Sequence, residues 1–404
     1  MSTALSADRG VEALAAARPR LLRVAPARDV VAHLAAGGAC HAGPPIASHE
    51  MCGPMRAALG VALAIEGWAA TPAAALAAVD AGEVDLLPNH DAGGVGPMSG
   101  VVTGSMPVLV ARDETTGTEA WCPLNEGSGK VLRYGADDEE VVARLRWMEA
   151  VLGPALDAAL AATGPLDLIA LQRDALLAGD ECHHRTHAGT RLLHDALAPH
   201  LPADAAAFIL GNHQFFLNVA MVGAKVATAV ADGVPGSALV TVVARNGVEV
   251  GVKLSGTGDR WFTGPAAAPD PARLAPGFGP GDMQRDLGDS AIVEVYGLGA
   301  LAVEASPESA PSVGLSPADA PAIMARLRRI GAAEHPELGW LDAGGERVPA
   351  ILGVDARAVV RDGVVPPIHT GIAHREPGVG QIGGGVTLPP LSAFTAAVAA
   401  LEGP

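Results

Sequence analysis

Aromatic residues are scarce in this 404-residue chain, where Phe, Trp and Tyr together make 3% of the positions. Proteins that hold single-stranded nucleic acid stack bases on such side chains, so that class is disfavoured. Basic residues are short as well: 27 Lys and Arg stand against 44 Asp and Glu, a formal charge of −17. That sign argues against non-specific binding to a phosphate backbone. Cysteine is confined to Cys40, Cys52, Cys122 and Cys182. None forms a CxxC pair or a zinc-ribbon spacing, and the pattern reads as free thiols in a reducing compartment. No apolar run reaches membrane-spanning length, and the first residues lack a charged-then-apolar signal pattern. The expectation is a soluble, cytoplasmic protein that binds neither nucleic acid nor membrane. The glycine run 93–98 lacks the GxGxxG spacing and a Walker lysine, and 183–187 lacks the full HExxH pattern.

Glycine and proline, by contrast, are plentiful: 50 and 32 residues, spread along the chain rather than gathered in a repeat. That suits a loop-rich enzyme, and the length suits two or three domains. The reading is an α+β (mixed α/β) fold in several domains. An N-terminal α/β domain spans 1–135, a helical module 136–205, and a second α/β domain 206–404. Residues 105–110 read as a strand that Pro107 confines to a sheet edge. Residues 208–230 read as one long helix, and 265–280 as a loop or linker. Asn246-Gly247 between two β-branched runs is the strongest hairpin signal.

Chemistry is concentrated in Gly179-Asp180-Glu181-Cys182-His183-His184-Arg185-Thr186-His187. On a helix, Glu181 would share a face with Arg185, and His183 with His187. Such a group could move a proton and hold an anion. The plainer alternative is a solvated helix start, with Asp180 as its cap and Glu181–Arg185 as a surface pair. A second dense stretch is Leu124-Asn125-Glu126-Gly127-Ser128-Gly129-Lys130, followed by Arg133. Its glycines can turn backbone amides towards an anion, and Lys130 and Arg133 supply charge. Asn125 and Glu126 could address an amide or urea group. Polar residues at strand ends add Asn89-His90-Asp91, the hairpin tip Arg245-Asn246, and the tail 368–376 with His369 and His374. His41, Glu50 and Arg56 stand at a loop–helix junction.

Several of these motifs together resemble the YlbE-like family. They are His41-Ala42-Gly43-Pro44-Pro45, Val95-Gly96-Pro97-Met98, Leu124-Asn125-Glu126-Gly127, Gly179-Asp180-Glu181 with His183, Arg245-Asn246-Gly247, Gly288-Asp289-Ser290 and Thr370-Gly371-Ile372-Ala373-His374. The resemblance runs in order from about residue 18 to the end. It implies a mixed α and β fold with a helical module, and kinship with the large subunit of oxamate carbamoyltransferase. The implied partners are an FdrA-like subunit and a further small subunit, within an oligomer that includes further copies of this chain. The implied reaction converts oxalurate and phosphate to oxamate and carbamoyl phosphate, late in allantoin breakdown.

Moving a carbamoyl group off an amide nitrogen requires a polarised carbonyl, a held phosphate and one mobile proton. On that reading Lys130 and Arg185 bind anions, and Arg245 holds the substrate carboxylate. Asn125 orients the urea-like group, while Glu181 or His183 carries the proton. Glu126, Asn246, Asn89 and His374 complete the expected site. The chemistry calls for neither cofactor nor metal. Two alternatives stay open: a non-catalytic substrate-binding or scaffold subunit, and an amidase or ureidase using water. Convergence of the loops near 125, 181, 245 and 374 on one closed pocket favours catalysis.

Overall fold

The computed structural model describes residues 8–309, 316 and 318–403. The Asp8 carboxylate accepts the Gly10 N–H at 2.8 Å and starts the helix Arg9–Ala16. The chain then enters an antiparallel sheet ordered Glu119–Pro123, Pro107–Asp113, Pro19–Pro26, Leu166–Asp167. The strand carrying Pro107 is therefore interior, not an edge. Pro107 is its first residue, where a missing N–H costs the ladder little.

The Asn246-Gly247 hairpin forms as read, pairing Val240–Asn246 with Glu249–Leu254. Leu287–Gly288 and Phe262–Pro265 flank that pair. The stretch read as a linker instead supplies the strand Asp270–Leu274. It joins Gln381–Thr387 and Ile368–Ala373 in a three-stranded antiparallel sheet, with the glycine-rich Gln381–Thr387 in the middle. A short parallel pair, Ala39–His41 beside Leu86–Pro88, brings the first motif loops together.

Residues 208–230 are not one helix. Ala203–Gly211 and Phe215–Val230 meet at an angle of 83°. The Asn212 side chain donates to the Asn125 carbonyl oxygen at 3.0 Å, and its Oδ1 accepts the Gln214 N–H at 3.2 Å. Side-chain bonds of this kind replace helical ones and break the helix. Beyond the break, Phe215–Val230 is buried almost along its whole length. It packs on both the N-terminal sheet and the helix Ile292–Tyr296. One continuous cluster of buried side chains runs from Val11 to Val398 and draws on all three segments of the chain. The architecture is mixed α+β, with several small sheets set around buried helices. Among the described residues, no single helix is long and apolar enough to cross a membrane.

Candidate functional site

The stretch 179–186 is a turn, and the helix His187–Leu197 begins only after it. The helical pairings Glu181–Arg185 and His183–His187 therefore do not form. The chain instead curls around the Glu181 carboxylate, which accepts the N–H groups of His183 (2.9 Å), His184 (2.7 Å) and Arg185 (2.8 Å). Cys182 adopts φ 70° to allow the curl. Charge-assisted bonds to several amides outweigh a solvated ion pair, so the local sequence prefers the turn. Asp180 is not at the N-cap position, which Thr186 occupies, but its carboxylate accepts the Gly189 N–H of the following helix at 2.9 Å.

This turn forms one wall of a cavity of about 300 Å³ into which His183, His184, His187, His213 and His369 all project. His183 Nδ1 lies 2.8 and 2.9 Å from the two Glu294 oxygens. Glu294 also accepts the His369 N–H at 3.2 Å, so one buried carboxylate anchors both histidines. His369 Nδ1 stands 3.3 Å from Glu181 Oε1 as an ion-pair contact, off the line of a hydrogen bond. Its Nε2 has no hydrogen-bond partner among the described residues. Burial disfavours the charged His369 ring, but the Glu181 and Glu294 carboxylates prevail and raise its pKa. Burial, helped by the charge of His369, pushes His184 down to about 4. These two rings, 5.8 Å apart, are thus driven in opposite directions. Burial also works against the Glu181 charge, yet His369 and the turn amides bring that carboxyl down to about 2.

Cationic groups complete the lining. Arg133 donates through Nη2 to the Gly127 carbonyl oxygen, while its buried Nη1 has no partner among the described residues. Arg185 is held by Asp180 at 3.2 Å and by Glu308 at the cavity rim. His187 and His213 stack 4.8 Å apart. No group of three or more His, Cys, Asp or Glu side chains among the described residues is arranged as a metal-binding set.

The other expected residues separate into supports and outliers. Asn125 braces the helix break, donating to Asn218 Oδ1 at 2.8 Å and accepting from Asn212 at 3.1 Å. Glu126 accepts the Leu132 N–H at 2.7 Å and the Arg133 N–H at 3.2 Å, which fixes the loop that aims Arg133. Lys130 points to solvent and pairs with Asp138 at 3.3 Å. Arg245 is fully buried, bound to Asp286 at 2.8 Å and to the Gly288 carbonyl oxygen. Asn246 shapes the hairpin turn by accepting the Val248 and Glu249 N–H groups at 3.0 and 2.7 Å. Asn89 donates to Asp289 at 2.9 Å, and the same carboxylate accepts the N–H groups of Gly43 (2.8 Å) and Gly96 (3.0 Å). Asp289 so ties three motif loops behind the Pro97–Met98 cavity wall; burial raises its pKa to about 6 despite those bonds. His374 lies beyond the cavity, accepting the Glu376 N–H at 3.0 Å and packing on Phe278. His183 and Arg185, of the residues expected in the site, face the cavity directly.

A family model described as "Oxamate carbamoyltransferase subunit AllG" matches residues 84–290. Oxamate carbamoyltransferase subunit AllG of Escherichia coli is 40% identical over 97% of this chain and 96% of its own length. The chain belongs to the AllG family. It is also 36% identical to the uncharacterized protein YahG of Escherichia coli, over 97% of this chain and 84% of that one. A crystal structure of a conserved protein of unknown function from Enterococcus faecalis superposes with a TM-score of 0.93 at 37% identity. That match covers 97% of this chain and 96% of the other.

Within this AllG-family chain, sequence reasoning marked the tail loop but placed His374 rather than His369 in the expected site, and passed over His213 and Gln214. A signal for His369 existed: in a strand, 369 and 371 share a face, whereas His374 falls past the strand's end at Ala373. His213 and Gln214 carried no such signal, because their place depends on the helix break.

Proposed function

We propose that the histidine-lined cavity exchanges a carbamoyl group between oxamate and phosphate, and that this chain carries the catalytic groups rather than serving as a scaffold. The observation that supports it best is the pairing of His369 and His184. One ring is held towards its protonated form and the other towards neutral within a single cavity. Opposed shifts of neighbouring titratable groups mark acid and base assignments. The name of the E. coli relative points to the same chemistry.

In the phosphorolytic direction, a phosphate oxygen attacks the carbamoyl carbon of oxalurate. The bond from that carbon to the oxamate nitrogen then breaks. His184 accepts the proton of the attacking phosphate, and His369 gives one to the departing nitrogen, so the proton count balances. Arg185 holds an anion as first expected, and Arg133 takes the part expected of Lys130 and Arg245. Glu181 acts through His369 as a positioning residue, and Glu294 fixes His183. An FdrA-like subunit and a further small subunit are the partners this reading assigns, with further copies of the chain in the assembly. An amidase reading is less well supported. Cys182 is fully buried, and burial and neighbouring carboxylates push its thiol far above the usual range.

The test is phosphorolysis of oxalurate by the purified chain, alone and with its FdrA-like partner, following carbamoyl phosphate. Loss of turnover in His369→Gln, with the fold intact, is the expected result. Turnover that persists in both His369→Gln and His184→Gln would move the chemistry to the partner.

A further inference from the structure

Strands Ile368–Ala373 and Gln381–Thr387 run side by side with Gly371 directly opposite Gly384, and both glycines line the cavity. Neither glycine adds a side chain, and because the Tyr134 hydroxyl covers Gly371, the bare backbone is at Gly384. The reasons for glycine differ along the strand. A Cβ at Gly383 would stand 2.4 Å from the Arg273 carbonyl oxygen, and one at Gly385 would stand 2.1 Å from that of Asp270. Both are required by the neighbouring strand. A Cβ at Gly371 would collide with the Tyr134 hydroxyl at 2.1 Å.

Gly384 has no such reason. Its φ lies outside the left-handed region, and the nearest atom to an added Cβ is the Thr370 carbonyl oxygen at 3.7 Å, an ordinary contact. Glycine in the middle of a sheet costs chain entropy and packs nothing. The space left above it opens into the cavity, and Gly384 also borders an adjoining open cleft with His184 and Gln381.

A second observation marks this floor as a ligand surface. His369, on the same strand face as Gly371, is 1% exposed and holds a ring nitrogen with no hydrogen-bond partner among the described residues. Arg133, whose Nη1 likewise has no hydrogen-bond partner among the described residues, lines the same cavity with its guanidinium over the Tyr134 ring. A flat strip of backbone at Gly384, bordered by the Tyr134 hydroxyl and by His369 and Arg133, fits a planar, conjugated anion. We propose that the backbone at Gly384, beside the Tyr134 hydroxyl that covers Gly371, is the floor on which the planar amide portion of the substrate lies, and that Gly384 is a specificity-determining position for it. This inference rests on the reading of the cavity as the oxalurate and oxamate site.

The test compares the full-length parent with Gly384→Ala and Gly384→Val, by thermal unfolding and by calorimetric titration with oxalurate, oxamate and inorganic phosphate. Gly384→Ala should melt no lower than the parent, because a Cβ fits and the unfolded chain loses freedom. Oxalurate and oxamate should weaken about tenfold in Gly384→Ala and further in Gly384→Val, with phosphate unchanged within about twofold. A folded Gly384→Val that binds oxalurate as the parent does would overturn the floor and leave the functional reading standing. A Gly384→Ala that melts well below the parent would place the glycine in service of the fold, and overturn it also. A parent that binds phosphate but neither organic anion would overturn the functional reading, and the floor with it.

Discussion

The imidazole of His369 and the carboxylate of Glu181 face each other across 3.3 Å, each withdrawn from solvent. Each controls the other's ionisation. The histidine keeps a deeply buried carboxylate charged, and the carboxylate keeps a buried ring able to hold a proton. The turn 179–186 and the strand Ile368–Ala373 are far apart in the chain and meet only through the tertiary fold.

Glu181 carries a stability signature with a definite sign. Its folded pKa, about 2, lies below the ordinary glutamate value. The stabilisation is therefore present above the unfolded pKa and is lost as pH falls towards 2. For Glu181→Gln the expected loss near neutral pH is about 3 kcal/mol, shrinking towards zero at the acid end. Denaturant melts of parent and variant from pH 2 to 7 read this directly. A gap that stays constant with pH would contradict it.

The two opposed histidines shape the pH–rate profile. His184 loses its capacity as a base as pH falls through about 4, whereas His369 loses its proton somewhere above the ordinary histidine value. Turnover should form a bell between those limits. His369→Gln should lower kcat by about 10²–10⁴-fold and remove the alkaline limb, leaving the acid limb in place. A profile with both limbs intact would show that His369 does not titrate in the reaction.

Arg133 and Lys130 are close in sequence and opposite in consequence. Arg133 lines the cavity and its Nη1 has no hydrogen-bond partner among the described residues, while Lys130 pairs with Asp138 at the surface. Arg133→Met should weaken phosphate at least tenfold, by about 1.5–3 kcal/mol for a lost charge-assisted bond. Lys130→Ala should leave affinity within about twofold, as expected for an exposed ion pair. Titration with phosphate distinguishes them, and equal losses would reject the assignment.

Lys225 is a buried charge on the Phe215–Val230 helix. Burial outweighs the attraction of Asp232, Asp289 and Asp91 and brings its pKa down to about 8. A lysine pKa lowered by folding means that protonation opposes folding below that value, and that the cost fades as pH rises towards the unfolded pKa. Lys225→Met should therefore stabilise the chain by about 1–3 kcal/mol near pH 7, and by less near pH 10. Thermal melts at both pH values are the check, and a destabilised variant at pH 7 would refute it.

Features settled by neighbouring residues were legible in the sequence. Asn246-Gly247 announces its hairpin because the turn needs those residues wherever it occurs. The density of charge in 179–187 marked a wall of the cavity for the same reason. Its conformation was hidden, since Glu181 finds its partners in turn amides and in His369, which no helical periodicity reveals. Arg245 looked like a ligand arm because Asp286, its buried counter-charge, lies in a separate part of the sequence. The helix break at Asn212 depends on Asn125, again distant in the chain. Pro107 misled for a smaller reason, its position at the very start of an interior strand.

The donor-lined cavity sits in a chain whose formal charge is −17. At distances beyond about 10 Å in 0.1 M salt the outer field is screened, but in dilute buffer it reaches much further and repels an approaching anion. Within the cavity Arg133 and Arg185 supply the opposing attraction. Arrival and retention of the substrate therefore answer to salt in opposite ways: added electrolyte speeds the encounter by muting the distant repulsion and shortens the stay by weakening the close grip.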